Sequence, residues 1–438
     1  MSTYLRGIHT PHRKRTKKKP AIRMEIPEKV TIPMSMHIGK PAIPTVKVGD
    51  LVKVGTKIGE ADGYISSPVY SSVSGKVVKL QEYRLLNGDA TTAVVIQSDG
   101  EMAIDESVAP PTVNNREDLI AAIKESGIVG QGGAGFPTYV KLDVDPARID
   151  YLIINGAECE PYVTSDTLTM LYRDEDMQFA LEALREHLGI QKVIIGVENN
   201  NRVAYSAMRA MAAKIEGMNV WVQSLPAVYP QGGEKVLIYH TTGRRVVDLQ
   251  LPIDHGCLVL NCTTIAAIGA YLKTGMPLVE KCVTVEGGAV RLPRNVIAPI
   301  GASFQDLFDA CGELIGTPYK LIYGGPMMGI TVPDATAPIL KNTNAILALT
   351  KREGRLPRTT ACIRCGACVN TCPFGLTPSA IGAAFDKKDM DALKDLHVLA
   401  CMECGCCSFV CPANRPLVQM NKLSKQMLRE LERKEGGK

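Results

Sequence analysis

The stretch CMECGCCSFVCP, residues 401–412, decides how the C-terminal part of the chain folds, and CIRCGACVNTCP, residues 362–373, repeats its spacing. Both follow the pattern C-x2-C-x2-C-x3-C-P. The short spacings let three thiolates reach three corners of one iron–sulfur cubane, and the fourth cysteine, turned away before the proline, reaches a second cubane. Nine of the 14 cysteines lie between residues 362 and 411. Because they crowd one end of a long chain, they indicate metal binding in a reducing compartment rather than a disulfide scaffold.

The same pattern occurs in bacterial ferredoxins with two [4Fe–4S] clusters, and it predicts crossed ligand sets. Cys406 interrupts the second run, where the first run has Ala367, and is predicted to be a spare thiol. A zinc scaffold is the alternative, but it needs four-ligand sets in C-x2-C pairs and does not explain two triplets closed by Cys-Pro. Most of the other cysteines are expected to be small buried thiols. Cluster one is predicted to take Cys362, Cys365, Cys368 and Cys411, and cluster two to take Cys372, Cys401, Cys404 and Cys407.

The composition is that of a globular protein with several domains. The 438 residues are 45% hydrophobic and 22% charged, and a chain of this length can form three or four cores. Aromatic residues make up 5%, with one tryptophan, so no nucleic-acid platform of stacked aromatics is expected. The net charge of +5 is uneven, because residues 1–30 hold nine Lys and Arg against two Glu.

Two interpretations of the basic segment PHRKRTKKKP, residues 11–20, stay open. It is either a solvated tail or a segment that docks on an anionic lipid surface or an acidic partner. No apolar core follows it, so it is not a secretory signal. The most apolar stretch, GCLVLNCTTIAAIGAYL at residues 256–272, is too short and too polar for a membrane helix. Any membrane attachment is therefore expected to pass through another protein of a complex.

The pattern of strands and helices predicts a multidomain α/β and α+β chain. Short alternating strands broken by Gly-Asp and Ser-Gly turns indicate a lipoyl-like β-sandwich, although its turn at residues 59–68 has no lysine for a swinging arm. Strands at 150–155, 192–198 and 220–226 alternate with helices, which indicates a parallel, Rossmann-like sheet with ligands at the carboxyl ends of the strands. The predicted segments are a basic arm (1–29), the β-sandwich (30–112), the α/β domain (113–280), a β-grasp (SLBB-like) module (281–348), a two-cluster ferredoxin-like domain (349–420) and a charged C-terminal helix or tail (421–438).

A glycine-rich loop, GIVGQGGAGFPTYVKL at residues 127–142, begins the α/β domain. Four glycines in six residues allow a backbone to approach a phosphate closely and to turn its N–H groups toward it. The loop is not the G-x-G-x-x-G of ordinary dinucleotide folds. Its alternative is a tight turn without a ligand.

Together with NGAECEP at residues 155–161, this loop resembles the FMN- and NADH-binding subunit of complex I. Over nearly its full length the chain is more similar to the RnfC family of the Rnf electron-transport complexes, since the complex I protein ends in a single-cluster domain. The resemblance implies hydride exchange between NAD(H) and non-covalent FMN, and electron exchange through two [4Fe–4S] clusters. The implied partners are membrane-embedded and iron–sulfur subunits of that complex, with ferredoxin reached indirectly and no nucleic acid. The implied location is peripheral, on the cytoplasmic face of the inner membrane.

The resemblance also implies the residues of the flavin and nucleotide site. Phe136 would stack on the NADH adenine, and Glu160 would lie near the nicotinamide. The alternatives are that Phe136 is a core residue and Glu160 a solvated charge. No acid–base residue is expected for the hydride step. Gly130, Gly132, Gly133, Ala134 and Lys141 would line the FMN phosphate and ribityl chain, and Asn155, Glu158, Glu234, Asn261 and Thr264 would complete the flavin site.

Three positions depart from the complex I pattern. Gln131 replaces a basic residue, Ala157 replaces an acid, and Lys235 stands where a second acid is expected. Two other functions therefore stay open. One is a soluble flavin and iron–sulfur reductase, such as those that reduce cobalamin, and the other is an electron carrier whose nucleotide site has decayed.

Overall fold

The computed structural model describes residues 5–85, 88–247 and 250–436. It confirms the predicted fold class, with the modules in the predicted order. The first two-residue strand, β1 (Ile22–Arg23), belongs to the basic N-terminal segment and joins a sheet far along the chain. The sandwich that follows has the sheet orders β2-β8-β7-β4 and β3-β5-β6. Its strands are β2 (Lys29–Pro33), β3 (Ile43–Pro44), β4 (Leu51–Val52), β5 (Lys57–Glu60), β6 (Val69–Tyr70), β7 (Gly75–Arg84) and β8 (Ala90–Ser98).

The α/β domain is built on a parallel sheet of order β11-β10-β9-β12 with helices packed against it. Three of its strands coincide with the predicted ones to within a residue. The fourth, β12, and the buried helix α7 are formed by the apolar stretch at residues 256–272. The elements are α1 (Arg116–Glu125), α2 (Thr138–Leu142), β9 (Tyr151–Gly156), α3 (Ser165–Tyr172), α4 (Asp174–Leu188), β10 (Lys192–Glu198), α5 (Arg202–Ala212), β11 (Asn219–Leu225), α6 (Glu234–Thr242), β12 (Cys257–Asn261) and α7 (Cys262–Thr274), with 3-10 turns at Pro146–Arg148 and Pro252–His255.

The next module is a mixed sheet of order β1-β14-β13-β17-β15-β16 that packs on one helix through Phe304 and Phe308. It is tied to two other modules by the buried Lys341, whose Nζ donates to Ser67 Oγ (3.0 Å), Pro68 O and Gly127 O (2.7 Å). Burial lowers the pKa of Lys341 to about 7. The elements are β13 (Glu280–Glu286), β14 (Arg294–Pro299), α8 (Phe304–Ala310), β15 (Lys320–Tyr323), β16 (Ile330–Val332) and β17 (Ala345–Leu349).

The cysteine-rich module consists of short helices around the two cysteine runs and one long helix that packs against them. No described helix is both long enough and apolar enough to cross a membrane. The helices are α9 (Lys351–Gly354), α10 (Ala367–Thr371), α11 (Pro378–Lys387), α12 (Met390–Asp395), α13 (Cys406–Phe409) and α14 (Leu417–Gly436), with a 3-10 turn at Val398–Ala400.

The basic N-terminal segment is packed on the protein, so the solvated-tail interpretation is wrong for the described residues. We call residues 5–24 the basic strap. Ile8 exchanges both backbone hydrogen bonds with Tyr229 (2.8 and 2.9 Å), and β1 extends the mixed sheet by pairing in parallel with β14. Thr16, at the centre of the basic run, is fully buried. The sequence pattern does not predict this packing, because the contacts that anchor the strap are with distant parts of the chain.

Candidate functional site

A cleft of about 660 Å³ opens at the carboxyl ends of β9 and β12, where ligands bind in open parallel sheets. Its walls come from the glycine loop, the NGAECEP loop, the start of α6 and the second cysteine run. All twelve residues predicted from the resemblance line this one cleft: Gly130, Gly132, Gly133, Ala134, Phe136, Lys141, Asn155, Glu158, Glu160, Glu234, Asn261 and Thr264.

The glycine loop has the geometry that a phosphate needs. Gly132 to Ala134 are exposed, and within the described part of the chain their N–H groups donate to no protein acceptor. A Cβ atom on Gly132 would lie 2.5 Å from Asn261 Nδ2, so the backbone approaches that side chain as only glycine allows. Gly135 closes the loop at a φ of +73°. The exposed N–H groups and the missing side chains therefore fit a bound phosphate group.

A buried cation lies behind this loop. Gln131, which replaces a basic residue of the complex I pattern, accepts a hydrogen bond at Oε1 from Lys281 Nζ (2.7 Å), while its Nε2 has no described partner. Lys281 enters from β13 and is 3% exposed, and burial lowers its pKa to about 8. Another module thus places a buried cation behind the loop, a contact that sequence comparison along the loop cannot detect.

Two asparagines at the strand ends fix the loops around the cleft. Asn155 Nδ2 donates to Gly232 O (2.9 Å), and its Oδ1 accepts from Ala157 N (3.1 Å). Asn261 Nδ2 donates to Asp166 Oδ2 (2.8 Å). Because both amides are held by protein groups, they act here as supports for the cleft wall.

Lys141 and Glu234 form an ion pair across the cleft. Lys141 Nζ lies 2.7 Å from Glu234 Oε1 and also donates to Val259 O (3.2 Å). Both side chains are about a third exposed, so this pair is weaker than a buried one. The lysine is thus placed at the cleft but is already partnered by the carboxylate.

The two acids of NGAECEP are held in different ways. Glu158 is buried, and its oxygens accept from Asp166 N and Thr167 Oγ1 (both 2.8 Å). Glu160 accepts at both oxygens from the backbone N–H groups of Met327 and Met328 (3.0 and 2.9 Å). Burial raises the pKa of each acid to about 7. Glu160 is therefore not a solvated charge, and Phe136 is half-buried on the cleft wall rather than in a core.

The two cysteine runs have the same local backbone. Arg364 and Glu403 occupy equivalent positions in the left-handed region, at φ of 56° and 63°. Each donates its N–H to the sulfur two residues earlier, at 3.5 Å to Cys362 Sγ and 3.4 Å to Cys401 Sγ. Backbone N–H groups directed at sulfur stabilise thiolate ligands, so both runs fit the chemistry of an iron–sulfur cluster.

The two cysteine runs lie side by side, and the crossed ligand sets stay a prediction. Cys372, the last cysteine of the first run, lines a small apolar cavity together with Cys401, Cys404, Cys406 and Cys407 of the second run. Cys368 and Cys411 pack in one apolar cluster that also contains Cys407, while Cys362 and Cys365 are exposed. Among the described residues no three His, Cys, Asp or Glu side chains converge on the position of a single metal ion.

Met402 lies between the cleft and the cysteine cavity, because it lines both. Tyr229, also on the cleft wall, donates from its hydroxyl to Cys404 O (2.7 Å). Cys406 is 1% exposed and packs with Ile8 and Tyr229. The second run is therefore the one that borders the cleft.

Sequence reasoning missed several residues that shape this site. Asp166, at the start of α3, accepts from Asn261 and from Thr263 Oγ1 (2.7 Å). Its sequence surroundings give no signal beyond an acid in a first helical turn. Met402 and Tyr229 were missed because both act through contacts between modules.

Three family models match successive parts of the chain. The RnfC barrel sandwich hybrid domain matches residues 2–101, the Nuo51 FMN-binding domain matches residues 123–270, and a 4Fe-4S dicluster domain matches residues 357–420. The chain thus has an FMN-binding domain and an iron–sulfur domain of known families. The dicluster match sets the zinc scaffold aside.

Curated relatives match over most of their length. The chain is 42% identical to the C subunit of the Na+-translocating ferredoxin:NAD+ oxidoreductase complex of Acetobacterium woodii, covering 89% of this chain and 88% of the relative. It is 40% identical to the C subunit of the proton-translocating complex of Clostridium ljungdahlii, covering 96% and 92%. A crystal structure of an NAD+-reducing [NiFe]-hydrogenase shares the fold, with a TM-score of 0.51 and 19% identity over 74% of this chain and 62% of that one. The chain belongs to the RnfC family, the C subunits of ion-translocating ferredoxin:NAD+ oxidoreductase (Rnf) complexes.

Proposed function

We propose that this chain is the NAD(H)-reacting subunit of an Rnf complex and that it exchanges a hydride between NAD(H) and FMN held in the cleft. The carrying observation is that one cleft is bordered by a phosphate-type glycine loop and, through Met402, by a cavity lined with cysteines of both runs. When bound, FMN supplies the conversion between a two-electron hydride and single electrons, and [4Fe–4S] clusters supply single-electron carriage.

The protein groups bind and orient rather than transfer protons. The exposed N–H groups of residues 132–134 take the FMN phosphate, and Lys141 and Lys281 provide positive charge at the loop and behind it. Asn155 and Asn261 fix the ends of β9 and β12 at the cleft through their hydrogen bonds to Gly232 O and Asp166. Phe136 and Glu160 lie on the wall that takes the nicotinamide nucleotide.

Two [4Fe–4S] clusters are proposed for the cysteine module, with the crossed ligand sets given above. Cys372, Cys401, Cys404 and Cys407 hold the cluster beside the cleft, which their shared cavity supports. The other set includes the exposed Cys362 and Cys365, so it faces outward toward a partner. We place the chain peripherally on the cytoplasmic face of the inner membrane, against membrane-embedded and iron–sulfur subunits, since the relatives named above are subunits of ion-translocating complexes.

The test uses anaerobically purified protein. Iron, sulfide and released flavin are quantified, and the visible spectrum is recorded before and after NADH is added. We expect about eight irons, one FMN and bleaching of the flavin by NADH. Eight irons without bleaching would indicate a subunit that only carries electrons and would refute the proposed reaction with NAD(H). Co-purification with membrane subunits separates this function from a soluble cobalamin-type reductase.

A further inference from the structure

The basic strap runs along one wall of the cleft and contacts it at several points. Ile8 pairs with Tyr229, which lines the cleft. Eight residues later, Thr16 Oγ1 lies 2.6 Å from Thr164 Oγ1, just beyond the NGAECEP loop. These two anchors fix the strap on either side of Lys14, so the position of that lysine is set by buried contacts.

Lys14 is the cation of the strap that enters the protein. Its side chain is 10% exposed, and its Nζ donates to Glu158 O and to Val163 O (2.6 Å). The same Nζ lies 3.6 Å from the carboxylate of Glu158. One ammonium thus closes the loop from residue 158 to residue 163 and faces the buried acid on the cleft wall.

Three buried acids face the strap. Burial raises the pKa of Glu158 and Glu160 to about 7 and also raises the pKa of Glu198 at the end of β10. The positive charge of Lys14 opposes this rise at all three, and Lys17 does so at Glu198. Buried carboxylates without a cation take up a proton instead of staying charged. The strap therefore carries positive charge that favours the ionised form of these acids.

We propose that the basic strap is the built-in counter-charge of the nucleotide cleft, in which Lys14 is a positioning residue that favours the ionised form of Glu158 and holds its loop in the shape that takes NAD(H). This inference rests on the proposed function for the identity of the nucleotide. It replaces a lipid or partner role for Lys14, because a side chain held by two buried carbonyls is not available to an external surface. Lys18, by contrast, is exposed on the same strap.

Several groups besides Lys14 influence the pKa of Glu158, and the experiment must separate their effects from that of Lys14. Lys17 adds positive charge from the strap, whereas Asp166 on α3 raises the pKa of Glu158. Thr167 donates to the carboxylate, and the thiols of Cys262 on α7 and Cys282 on β13 face it from the remaining sides. Lys14 differs from them in combining a positive charge with hydrogen bonds to two backbone carbonyls of the loop.

The experiment is a pH titration of the visible spectrum of the FMN-loaded protein, with Lys18→Met as the matched control for Lys14→Met. Because Glu158 and Glu160 both line the cleft and both have a pKa raised to about 7, wild-type protein should show an inflection near pH 7, from which Glu158→Gln removes the Glu158 contribution and Glu160→Gln the Glu160 contribution. In Lys14→Met we expect the inflection to move up by about one pH unit or more, because the cation that lowered the pKa is lost. Lys18→Met should titrate like the wild type, and Lys14→Arg should lie between wild type and Lys14→Met.

An unchanged inflection in Lys14→Met, or a wild-type titration without one, would overturn the inference. If Lys14→Met does not fold, the double variant Lys14→Met/Glu158→Gln decides, because removing both charges should restore a folded, FMN-binding protein and failure to do so refutes charge compensation. NADH is then added to the same samples. If NADH does not bleach the flavin of the wild-type protein, the proposed function is refuted but charge compensation by Lys14 is not. NADH binding at pH 7 that is about tenfold weaker in Lys14→Met than in the wild type supports both the proposed function and charge compensation.

Discussion

The two cysteine runs share a spacing and a backbone but differ in their surroundings. The first two cysteines of the first run, Cys362 and Cys365, are exposed, whereas the equivalent Cys401 is half-buried and Cys404 is buried. The third cysteine is buried in both runs. The second run packs on Tyr229 and Ile8 and holds Met402 against the flavin cleft. Local sequence therefore sets the shape of each run, while long-range packing decides which one lies beside the cleft and which one faces outward. Equivalent positions in the two runs provide matched pairs of variants.

The largest difference should come from Cys404→Ser and Cys365→Ser. Each variant should lose about four of about eight irons, because each removes one ligand of a different cluster. FMN should stay bound in both. NADH should still reduce the remaining cluster in Cys365→Ser, since the cleft-side ligand set is intact, but not in Cys404→Ser. Iron analysis and electron paramagnetic resonance after anaerobic NADH addition measure this, and identical behaviour of the two variants would contradict the assigned order.

A smaller difference is expected between Met402→Ala and Ile363→Ala, the second residues of the two runs. Met402 lies between the cleft and the cysteine cavity, whereas Ile363 is 67% exposed. Met402→Ala should slow NADH-dependent cluster reduction by about tenfold, because small displacements between reacting groups are costly. Stopped-flow absorbance gives the rates. Equal rates in the two variants would show that the wall formed by Met402 is unimportant.

The spare cysteine gives a comparison of stability. Cys406→Ser places a hydroxyl in the apolar cluster with Ile8 and Tyr229, so it should lower the free energy of unfolding by about 1–2 kcal/mol. The equivalent Ala367→Ser, at a half-buried position, should change it by less than about 0.5 kcal/mol. Denaturant unfolding under anaerobic conditions measures both. Iron content should be unchanged in each variant, and loss of a cluster in Cys406→Ser would make Cys406 a ligand.

The smallest effect concerns the two left-handed residues. Arg364→Gly should stabilise the protein by about 1 kcal/mol, because glycine adopts a positive φ without a Cβ penalty. At Glu403 the same gain is offset, since Lys425 Nζ lies 2.6 Å from its carboxylate and Glu403→Gly removes that pair. In thermal unfolding, the melting temperature should therefore rise in Arg364→Gly and rise less, or fall, in Glu403→Gly. A larger stabilisation from Glu403→Gly than from Arg364→Gly would show that the ion pair contributes nothing.

The contrast between the runs also explains what could be predicted from sequence. The strands and helices of the α/β domain and the glycine loop follow from local periodicity and turn residues, so they were predictable. The twelve residues predicted from the family resemblance all line one cleft. Three features depend on residues far apart in the chain: the position of Lys281 behind Gln131, the place of Met402 between two cavities, and the packing of the strap. No spacing rule connects residue 14 with residue 158, so only the folded chain shows that contact.

The contacts of the basic strap bear on how the protein is made. Ile8 pairs with Tyr229, and Gly7 O accepts from Thr371 Oγ1 (3.1 Å), a residue synthesised 364 positions later. Domains generally fold from the N-terminus as they emerge from the ribosome. The strap cannot fold in this order, because the residues that it contacts are synthesised later. Until they are, the strap is an exposed cationic segment and the cleft is incomplete. The basic strap is therefore synthesised early but reaches its folded position late.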